Sequence, residues 1–383
     1  MPLYFFELDY EMKDLPIYYE EKHLYDIAYR NDFNGLSEYF KKLDSEKRKA
    51  CIVSDSNVNA LYMDEVLKVA GEAFSSVSSF VFDAGEERKN LATVQELYKK
   101  LIEDRFGRKD IMIALGGGVT GDMCGYTAAT YLRGIDFIQI PTSLLADVDS
   151  SIGGKTGVDF DQYKNMVGAF HMPKLVYINM STLFSLDSRQ FWSGMGEVVK
   201  SALIKDKDFY TWLKDNIDKI NTEPITELSD LFKHIVYSCN VIKKNVVEQD
   251  PHETKGEREL LNFGHTLGHA IEKYMNFELL HGECVSIGCI LAAVISKNKG
   301  MISEKDCEDI TEFIRNNFHL PADIVFDDNN IDDIIKLTHS DKKAVGNTIK
   351  FVLLDSIGNA VIRTDVTDED MKTALLEYTE KYK

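Results

Sequence analysis

Short apolar runs alternate with amphipathic helical patterns between residues 49 and 178, and this alternation constrains the fold more than any other feature of the sequence. The apolar runs are "ACIVSD", "SFVFDAG", "IMIALGGG", "FIQIP" and "LVYIN". Between two of them, Val94, Leu97, Tyr98 and Leu101 recur at helical spacing. Strands that alternate with helices form a parallel sheet with helices on its faces. The sequence therefore predicts an α/β domain in this part of the chain.

The pattern changes after about residue 180. Long amphipathic helices follow, with one late pair of strand-like runs, "NTIKFVLLDSIGNAVIRT", around a Gly-Asn turn. A chain of 383 residues is also long for a single hydrophobic core. We therefore predict two domains. Residues 1–180 form an α/β domain with a Rossmann-like parallel sheet, and residues 181–383 form a mainly α-helical domain.

Charge and composition argue against several classes of protein. The net charge of −19 argues against a nucleic-acid partner. The longest apolar run, residues 284 to 295, is shorter than the roughly 20 residues of a membrane-spanning helix, and the N-terminus is acidic rather than a basic signal segment. The six cysteines are scattered without a CxxC motif, which favours reduced packing residues. These features predict a cytoplasmic protein that binds neither membranes nor nucleic acid.

A run of three glycines, Gly116, Gly117 and Gly118, follows an apolar strand and precedes a helix. Glycines let backbone N–H groups approach a pyrophosphate, and the helix N-terminus adds a positive dipole. The order GGGxxGD differs from the dinucleotide motif GxGxxG, so nucleotide binding and an ordinary turn both stay open. Asp55 and Asn57 follow an earlier strand, where they either bind ribose hydroxyls or cap the next helix.

The segment "LLADVDSSIGGKTGVDFDQYKNMVG" gathers small and polar residues without clear periodicity. Its chemistry-bearing residues are Asp149, Ser150, Ser151, Gly153, Gly154, Lys155, Lys164 and Asn165. Two lysines and an asparagine among small residues suit a phosphate or polyhydroxyl ligand. An exposed loop with solvated lysines is the alternative, although the apolar lead-in implies that the segment starts in the core.

Three helical segments carry residues that could bind a metal. "FWSGMGEVVKSALI" places Glu197 and Lys200 one turn apart among small or apolar residues, either as a buried functional pair or as a surface ion pair. In "LLNFGHTLGHAIEKY", His265 and His269 share a helical face, but the Glu that follows the first His of a zincin helix is absent. His281 begins another apolar helix. Glu197, His265 and His281 form a two-His-one-carboxylate set that leaves positions open on a metal.

Together these motifs resemble the 3-dehydroquinate synthase family of the sugar-phosphate cyclases. The similarity runs from residue 52 to residue 358 and is carried by "GGGVTGD", "YLRGIDFIQIPTSLLADVDSSIGGKTG", "YKNMVGAF", "GMGEVVK", "LLNFGHTLGHA", "HGECVSIG" and "DKK" followed by "FVLLDSIG". The resemblance implies a dehydroquinate synthase-like fold with an NAD-binding α/β domain and an α-helical domain that binds metal and substrate. It also implies a homodimer.

The resemblance further implies roles for individual residues. Zinc or cobalt would be bound by Glu197, His265 and His281. NAD would be bound by Asp55, Asn57, Glu86, Lys89, Gly116, Gly117, Gly118, Asp122, Thr142, Ser143, Asp149 and Lys164. The substrate phosphate would contact Lys155, Asn165, Asn262, His269 and Lys343, with Arg133 reaching across from the partner subunit. Lys243 and Arg258 would bind the substrate carboxylate, and Lys200 would hold ring hydroxyls.

The reaction implied is that of a carbon–oxygen lyase acting on a small phosphorylated sugar acid. It converts 3-deoxy-D-arabino-heptulosonate 7-phosphate to 3-dehydroquinate and phosphate by transient oxidation with NAD, phosphate elimination, re-reduction and aldol ring closure, within the shikimate pathway of aromatic amino acid biosynthesis. Two alternatives stay open: a cyclase of the 2-deoxy-scyllo-inosose synthase type, and a metal-dependent polyol dehydrogenase.

The sequence departs from the family pattern at three places. The loop DExExGLR is "DPHETKGER" here, one residue longer, so either Asp250 or Glu253 would contact the substrate. Tyr163 stands where the family usually has Gly, and Asp159 stands where Asn is common. The latter two changes either narrow the site or reshape a loop.

Overall fold

A computed structural model describes residues 12–161, 163–222, 230–321, 324–339 and 349–382. The chain divides into two compact units. Unit 1 comprises Met1–Leu186 and Pro224–Lys244, and unit 2 comprises Asp187–Glu223 and Asn245–Lys383. No helix in the described ranges is both long and apolar enough to span a membrane.

Unit 1 is built on a mostly parallel sheet. The strands described in this unit are β1 (Leu15–Tyr19), β2 (Lys22–Arg30), β3 (Lys49–Asp55), β4 (Ser76–Phe82), β5 (Ile111–Gly116), β6 (Asp136–Pro141), β7 (Lys155–Phe160), β8 (Tyr163–Phe170) and β9 (Leu175–Asn179). The main sheet has the order β1-β2-β9-β6-β5-β3-β4, and β7 and β8 form a separate antiparallel pair. Within the main sheet only β1 runs antiparallel to its neighbour. The predicted parallel sheet is confirmed.

Helices cover both faces of this sheet because successive strand residues point to opposite sides. The helices are α1 (Leu36–Lys41), α2 (Ser56–Gly71), α3 (Leu91–Glu103) and α4 (Gly118–Thr130). Ile52 packs on one face in the core that includes Val66 of α2, and its neighbour Val53 packs on the other with Leu97 of α3 and Met123 of α4. The predicted apolar face of α3 is confirmed, since Val94, Leu97 and Leu101 are all buried.

The remaining helices and one hairpin complete the described chain. They are α5 (Ser188–Lys205), α6 (Lys207–Thr222), α7 (Asp230–Gln249), α8 (His265–Tyr274), α9 (His281–Asn298), α10 (Glu304–Asn317), α11 (Ile331–His339), β10 (Phe351–Ser356), β11 (Asn359–Arg363) and α12 (Asp368–Tyr382). The mainly helical second half is confirmed, and β10 and β11 form the predicted antiparallel pair.

Helix α9 is the centre of unit 2. It packs against α5, α8, α10, α12 and β10. Its residues from Gly282 to Ser296 are all buried, as expected for a helix that is apolar on every side. Helix α7 begins in unit 1, where Asn240 donates a hydrogen bond to the Tyr29 hydroxyl at 3.0 Å, and ends in unit 2. All six cysteines are buried free thiols.

Candidate functional site

Three helices of unit 2 bring a carboxylate and two imidazoles together. Glu197 lies in the middle of α5, His265 is the first residue of α8 and His281 is the first residue of α9. The Glu197 Oε1 atom lies 3.3 Å from His281 Nε2 and 3.7 Å from His265 Nε2. Within this cluster Glu197 and His265 are buried, at 1% and 8% exposed, and His281 is half-buried.

Close helix crossings explain why these side chains converge. A Cβ atom on Gly282 would lie 1.7 Å from the Ser193 carbonyl oxygen, so α9 meets the backbone of α5 only because position 282 is glycine. A Cβ atom on Gly288 would likewise lie 1.9 Å from the carbonyl oxygen of Gly264, which precedes α8. The Ser193 hydroxyl also accepts a hydrogen bond from the Gly282 N–H at 3.1 Å. Backbone contact at both crossings therefore sets the distance between the three helices.

The donor set fits a divalent metal. Ligand atoms about 2.1 Å from a tetrahedral zinc lie about 3.4 Å from each other, close to the observed separations. Neither Glu197 oxygen has a hydrogen-bond partner of good geometry among the described residues, although the carboxylate forms an ion pair with Lys200. Lys200 offsets part of the cost of burying this carboxylate, and a divalent metal would offset more.

The second nitrogen of each imidazole has its own acceptor. His265 Nδ1 lies 3.0 Å from the Phe263 carbonyl oxygen, and His281 Nδ1 lies 3.5 Å from Glu272 Oε2. Metal-binding histidines in proteins usually donate their second ring N–H to a carbonyl or carboxylate in this way. The arrangement leaves Nε2 of both rings directed at Glu197.

Electrostatics in the cluster favour a positive charge beside Glu197. Burial alone would raise the pKa of Glu197, but Lys200 and the two histidines outweigh it and hold that pKa well below its usual value. Burial lowers the pKa of His281, but Glu272 and Glu197 more than offset this and raise it to about 10. Burial lowers the pKa of His265 well below its usual value, which suits a neutral ligand.

His269 lies beside the two proposed histidine ligands. Its ring centroid is 5.1 Å from that of His265 and 5.6 Å from that of His281. The three imidazoles each offer one nitrogen within 4.8 Å of the others, so His269 could also reach a metal at this point. Its predicted phosphate contact stays a prediction. Lys200 is 1% exposed, which removes the alternative of a surface ion pair with Glu197.

The loop of residues 250 to 258 and the following 3-10 helix hold two further predicted residues. Arg258 begins the 3-10 helix Arg258–Asn262, is 1% exposed and donates from Nη1 to the Pro251 carbonyl oxygen at 2.6 Å. Asn262 ends that helix and is half-buried. Lys343 lies outside the described residues.

In unit 1 the predicted nucleotide-binding residues gather at the carboxyl ends of the strands. The chain runs from β3 outward to β4 and then returns to place β5 on the other side of β3, so the strand order reverses between β3 and β5. Ligands of open α/β sheets bind at such a reversal. Asp55 ends β3, and the three glycines lead from β5 into α4, whose first turn carries no acidic side chain.

The details around these strand ends fit both alternatives left by the sequence. Asp55 caps α2, since its Oδ1 accepts hydrogen bonds from the N–H groups of Asn57 at 2.9 Å and Val58 at 3.1 Å. Its Oδ2 accepts from the Thr120 hydroxyl on α4 at 3.3 Å, which joins the two strand ends. Thr142 donates its backbone N–H to the Gly116 carbonyl oxygen at 3.2 Å. Ser143 accepts from the Ala146 N–H at 3.3 Å.

An ionic network connects four of the predicted NAD-binding residues. Lys89 lies 2.7 Å from Asp122 and 4.0 Å from Glu86, which in turn lies 3.3 Å from Lys164. Burial lowers the pKa of Lys89, but the Asp122 and Glu86 carboxylates outweigh it and raise that pKa. Also in unit 1, Lys243 of α7 forms an ion pair of 2.7 Å with Asp149.

The predicted phosphate-binding residues of unit 1 lie on exposed backbone. Lys155 begins β7, and Asn165 of β8 has a positive φ of 51° and donates its N–H to the Asp159 carboxylate at 2.7 Å. Asp159 therefore contacts the hairpin itself, and whether this departure from the family pattern narrows the site or reshapes the loop stays open. Arg133 is exposed after α4.

Glu272, which lies near the cluster, was not predicted from the sequence, and Asp250 was considered only for substrate contact. Glu272 is 1% exposed and contacts His281, and Asp250 is 0% exposed and closes its loop through backbone N–H groups. Glu272 follows His265 by seven residues, which is two helical turns on one face, so its position beside the cluster was available from the spacing. Asp250 gave no such signal, because its partners are backbone groups.

Comparison with known proteins covers both units. The 3-dehydroquinate synthase N-terminal model matches residues 79–193 and the C-terminal model matches residues 194–344. A 3-dehydroquinate synthase from Clostridium botulinum (strain Alaska E43) is 43% identical over 354 residues, which are 92% of this chain and 98% of that protein.

Solved structures of related cyclases share the fold. A 2-deoxy-scyllo-inosose synthase complexed with carbaglucose-6-phosphate, NAD+ and Co2+ has a TM-score of 0.83 at 26% identity and covers 95% of this chain and 100% of its own. A 2-epi-5-epi-valiolone synthase from Streptomyces hygroscopicus with NAD+ and Zn2+ bound has a TM-score of 0.83 at 26% identity, covering 93% and 97%. Glycerol dehydrogenase from Schizosaccharomyces pombe is similar in fold alone, with a TM-score of 0.63 at 14% identity over 93% and 90% of the two chains.

Proposed function

The chain belongs to the 3-dehydroquinate synthase family, and on this premise we propose that it converts 3-deoxy-D-arabino-heptulosonate 7-phosphate to 3-dehydroquinate and phosphate as a carbon–oxygen lyase. The observation that carries the proposal is the identity of 43% along 92% of the chain to a 3-dehydroquinate synthase. The solved cyclases with other names reach 26%.

The residues present fit the two cofactors found in the related structures, NAD and zinc or cobalt. When bound, NAD takes up and returns a hydride, and the metal acts as a Lewis acid on the oxygen of the reacting alcohol. We assign the metal to Glu197, His265 and His281 because their donor atoms have the separations of a tetrahedral site. NAD is assigned to the strand ends of unit 1, where the glycine turn offers N–H groups to a pyrophosphate.

Substrate-binding roles are proposed for the side chains of each unit taken separately. In unit 2, Lys200 donates to a ring hydroxyl beside Glu197, and Arg258 binds the carboxylate. Asn262 and His269 of unit 2 bind the phosphate. In unit 1, Lys243 is proposed for the carboxylate, and Lys155 and Asn165 for the phosphate. The leaving phosphate can accept the proton from the neighbouring carbon itself, so these residues need only hold it in the reactive position.

The cationic pair distinguishes the proposal from a cyclase for a neutral sugar phosphate. Arg258 and Lys243, which are 1% and 6% exposed, are two cations that a substrate carboxylate can bind and that a substrate without a carboxylate does not need. A polyol dehydrogenase acts on a substrate without a phosphate and does not need the proposed phosphate-binding residues. The similarity to glycerol dehydrogenase extends to the fold alone.

We further propose a cytoplasmic homodimer in which Arg133 of the partner subunit contributes to the phosphate site. Leu132 and Arg133 have positive φ angles of 51° and 71°, and both side chains are exposed. Such backbone costs about 1–3 kcal/mol at each non-glycine residue and persists only where the surrounding structure holds it. An exposed arginine held in this way supports the proposed contact with a second chain.

The test is release of inorganic phosphate from 3-deoxy-D-arabino-heptulosonate 7-phosphate with catalytic NAD and zinc or cobalt, while absorbance reports NADH. We expect phosphate without net NADH, because the hydride returns in each turnover. Phosphate released instead from glucose 6-phosphate or sedoheptulose 7-phosphate would identify another cyclase. NADH that accumulates with simple polyols would identify a dehydrogenase and overturn the proposal.

A further inference from the structure

The loop between α7 and the 3-10 helix Arg258–Asn262 is closed on one carboxylate. Asp250 follows the last residue of α7 and is 0% exposed. Its Oδ1 accepts the Thr254 N–H at 2.7 Å, and its Oδ2 accepts the N–H groups of Lys255 at 3.1 Å and Arg258 at 3.3 Å. A single side chain therefore fixes the backbone across a stretch of nine residues.

The same loop holds both the backbone and the guanidinium of Arg258. The Arg258 backbone N–H is bound by Asp250, and its guanidinium donates to the Pro251 carbonyl oxygen at 2.6 Å. Arg258 starts the 3-10 helix that ends at Asn262, and only Phe263 and Gly264 separate that helix from His265. A shift of the loop would therefore move the proposed carboxylate-binding residue.

We propose that Asp250 is a positioning residue for recognition of the substrate carboxylate, and that it acts through Arg258 without touching the substrate. Carboxylates that accept several backbone N–H groups form strong charge-assisted hydrogen bonds. Here both oxygens already accept such bonds. Of the two acidic residues considered for substrate contact, Asp250 thus belongs to the loop and Glu253 is the one left for the substrate.

Gly256 is a second residue on which the conformation of this loop depends. Gly256 has a φ of 91°, a left-handed conformation that favours glycine, and it lies between Lys255 and Arg258, whose N–H groups bind Asp250. Alanine at position 256 would have space, since the nearest atom to its Cβ is Ile362 Cδ1 at 3.7 Å, but would strain the backbone. The loop conformation can therefore be disturbed in two independent ways.

The inference rests on the proposed function and is tested by steady-state kinetics of the zinc-loaded full chain with 3-deoxy-D-arabino-heptulosonate 7-phosphate. Asp250→Asn leaves one acceptor oxygen and places an NH2 group against N–H donors. Gly256→Ala strains the loop and leaves the carboxylate intact. For both we expect kcat/KM to fall on the order of 10- to 100-fold, mainly through KM, because small misplacements of a binding group have effects of this size. Thr254→Ala keeps the backbone N–H and is the matched control.

NAD and Co2+ binding to each variant separate positioning from general damage to the fold. We expect both affinities to equal those of the unaltered chain, and Arg258→Ala to show the same KM effect as Asp250→Asn. An unchanged KM in Asp250→Asn and Gly256→Ala would overturn the inference, as would equal losses of NAD, Co2+ and substrate binding. If the unaltered chain releases no phosphate from this substrate, the proposed function itself is wrong. That result is distinct from the two outcomes that would overturn the inference.

Discussion

A single carboxylate links two of the helices that form the proposed metal site. Glu272 lies on the face of α8 that also carries His265, and it contacts the ring of His281 at the start of α9. Glu272 therefore orients the His281 ring and leaves Nε2 directed at Glu197. The Phe263 carbonyl oxygen does the same for His265. The two proposed ligand histidines are therefore oriented by protein groups.

We predict that Glu272→Gln weakens metal binding. Loss of an acceptor behind a ligand histidine typically lowers metal affinity about 10–100-fold, because the imidazole becomes a weaker donor and its orientation is less fixed. The affinity is measured by titrating the metal-free protein with Co2+ and following the visible absorption of the bound ion. Glu278→Gln, an exposed residue just beyond α8, is the control. An unchanged dissociation constant for Glu272→Gln would contradict this role.

The proposed metal site could be predicted from residue types. Side chains that bind only backbone groups could not be recognised in this way. Glu197, His265 and His281 could be selected because buried ionisable groups are rare on apolar helices. Asp250 was visible only as one of two acidic residues in an unusual loop, since hydrogen bonds to main-chain N–H groups leave no pattern in the sequence. The capping role of Asp55 was considered in advance, and the structure gives it that role; its ribose contact stays a prediction.

At the scale of elements, the position of α9 against α5 depends on the absence of a side chain. We predict that Gly282→Ala destabilises the protein by about 1–3 kcal/mol or more, because its Cβ would meet a carbonyl oxygen of α5 that cannot rotate away. The same displacement moves His281 away from Glu197, so Co2+ binding should weaken together with stability. Urea unfolding and the Co2+ titration measure the two effects.

The control for this substitution is Gly71→Ala at the end of α2. A Cβ atom there would have no heavy atom within 4 Å, so the change should be neutral or stabilising by about 0.4–1 kcal/mol. If Gly282→Ala behaves like Gly71→Ala, the close crossing does not set the geometry of the metal ligands.

Some elements could be predicted from the sequence and others could not, for physical reasons. Strands β3, β4, β5, β6 and β9 were predicted because buried parallel strands are short continuous apolar runs. The pair β1 and β2 was missed, since the edge strand β1 and its neighbour β2 both mix polar and apolar residues and carry no such run. The pair β7 and β8 was also missed, because β8 is largely exposed on both faces and so shows no alternation.

At the scale of the whole molecule, each unit carries one of the two proposed cofactor sites. Unit 1 contains the reversal of strand order beside the glycine turn, and unit 2 contains the cluster of Glu197, His265 and His281. A ligand that binds only the folded state stabilises it by about 2.7 kcal/mol at a concentration 100 times its dissociation constant. Each cofactor should therefore stabilise the elements that bind it.

Hydrogen exchange can test this division. We predict that NAD slows amide exchange in β5 and the first turns of α4, and that zinc slows it in α5 and at the starts of α8 and α9. In Glu197→Ala the protection by zinc should disappear, because the carboxylate ligand is lost, whereas the protection by NAD should remain. Addition of a chelator to the unaltered chain should reproduce the loss in unit 2. Protection by zinc that survives in Glu197→Ala, or that appears equally in β5, would place the metal elsewhere and remove Glu197 from its ligand set.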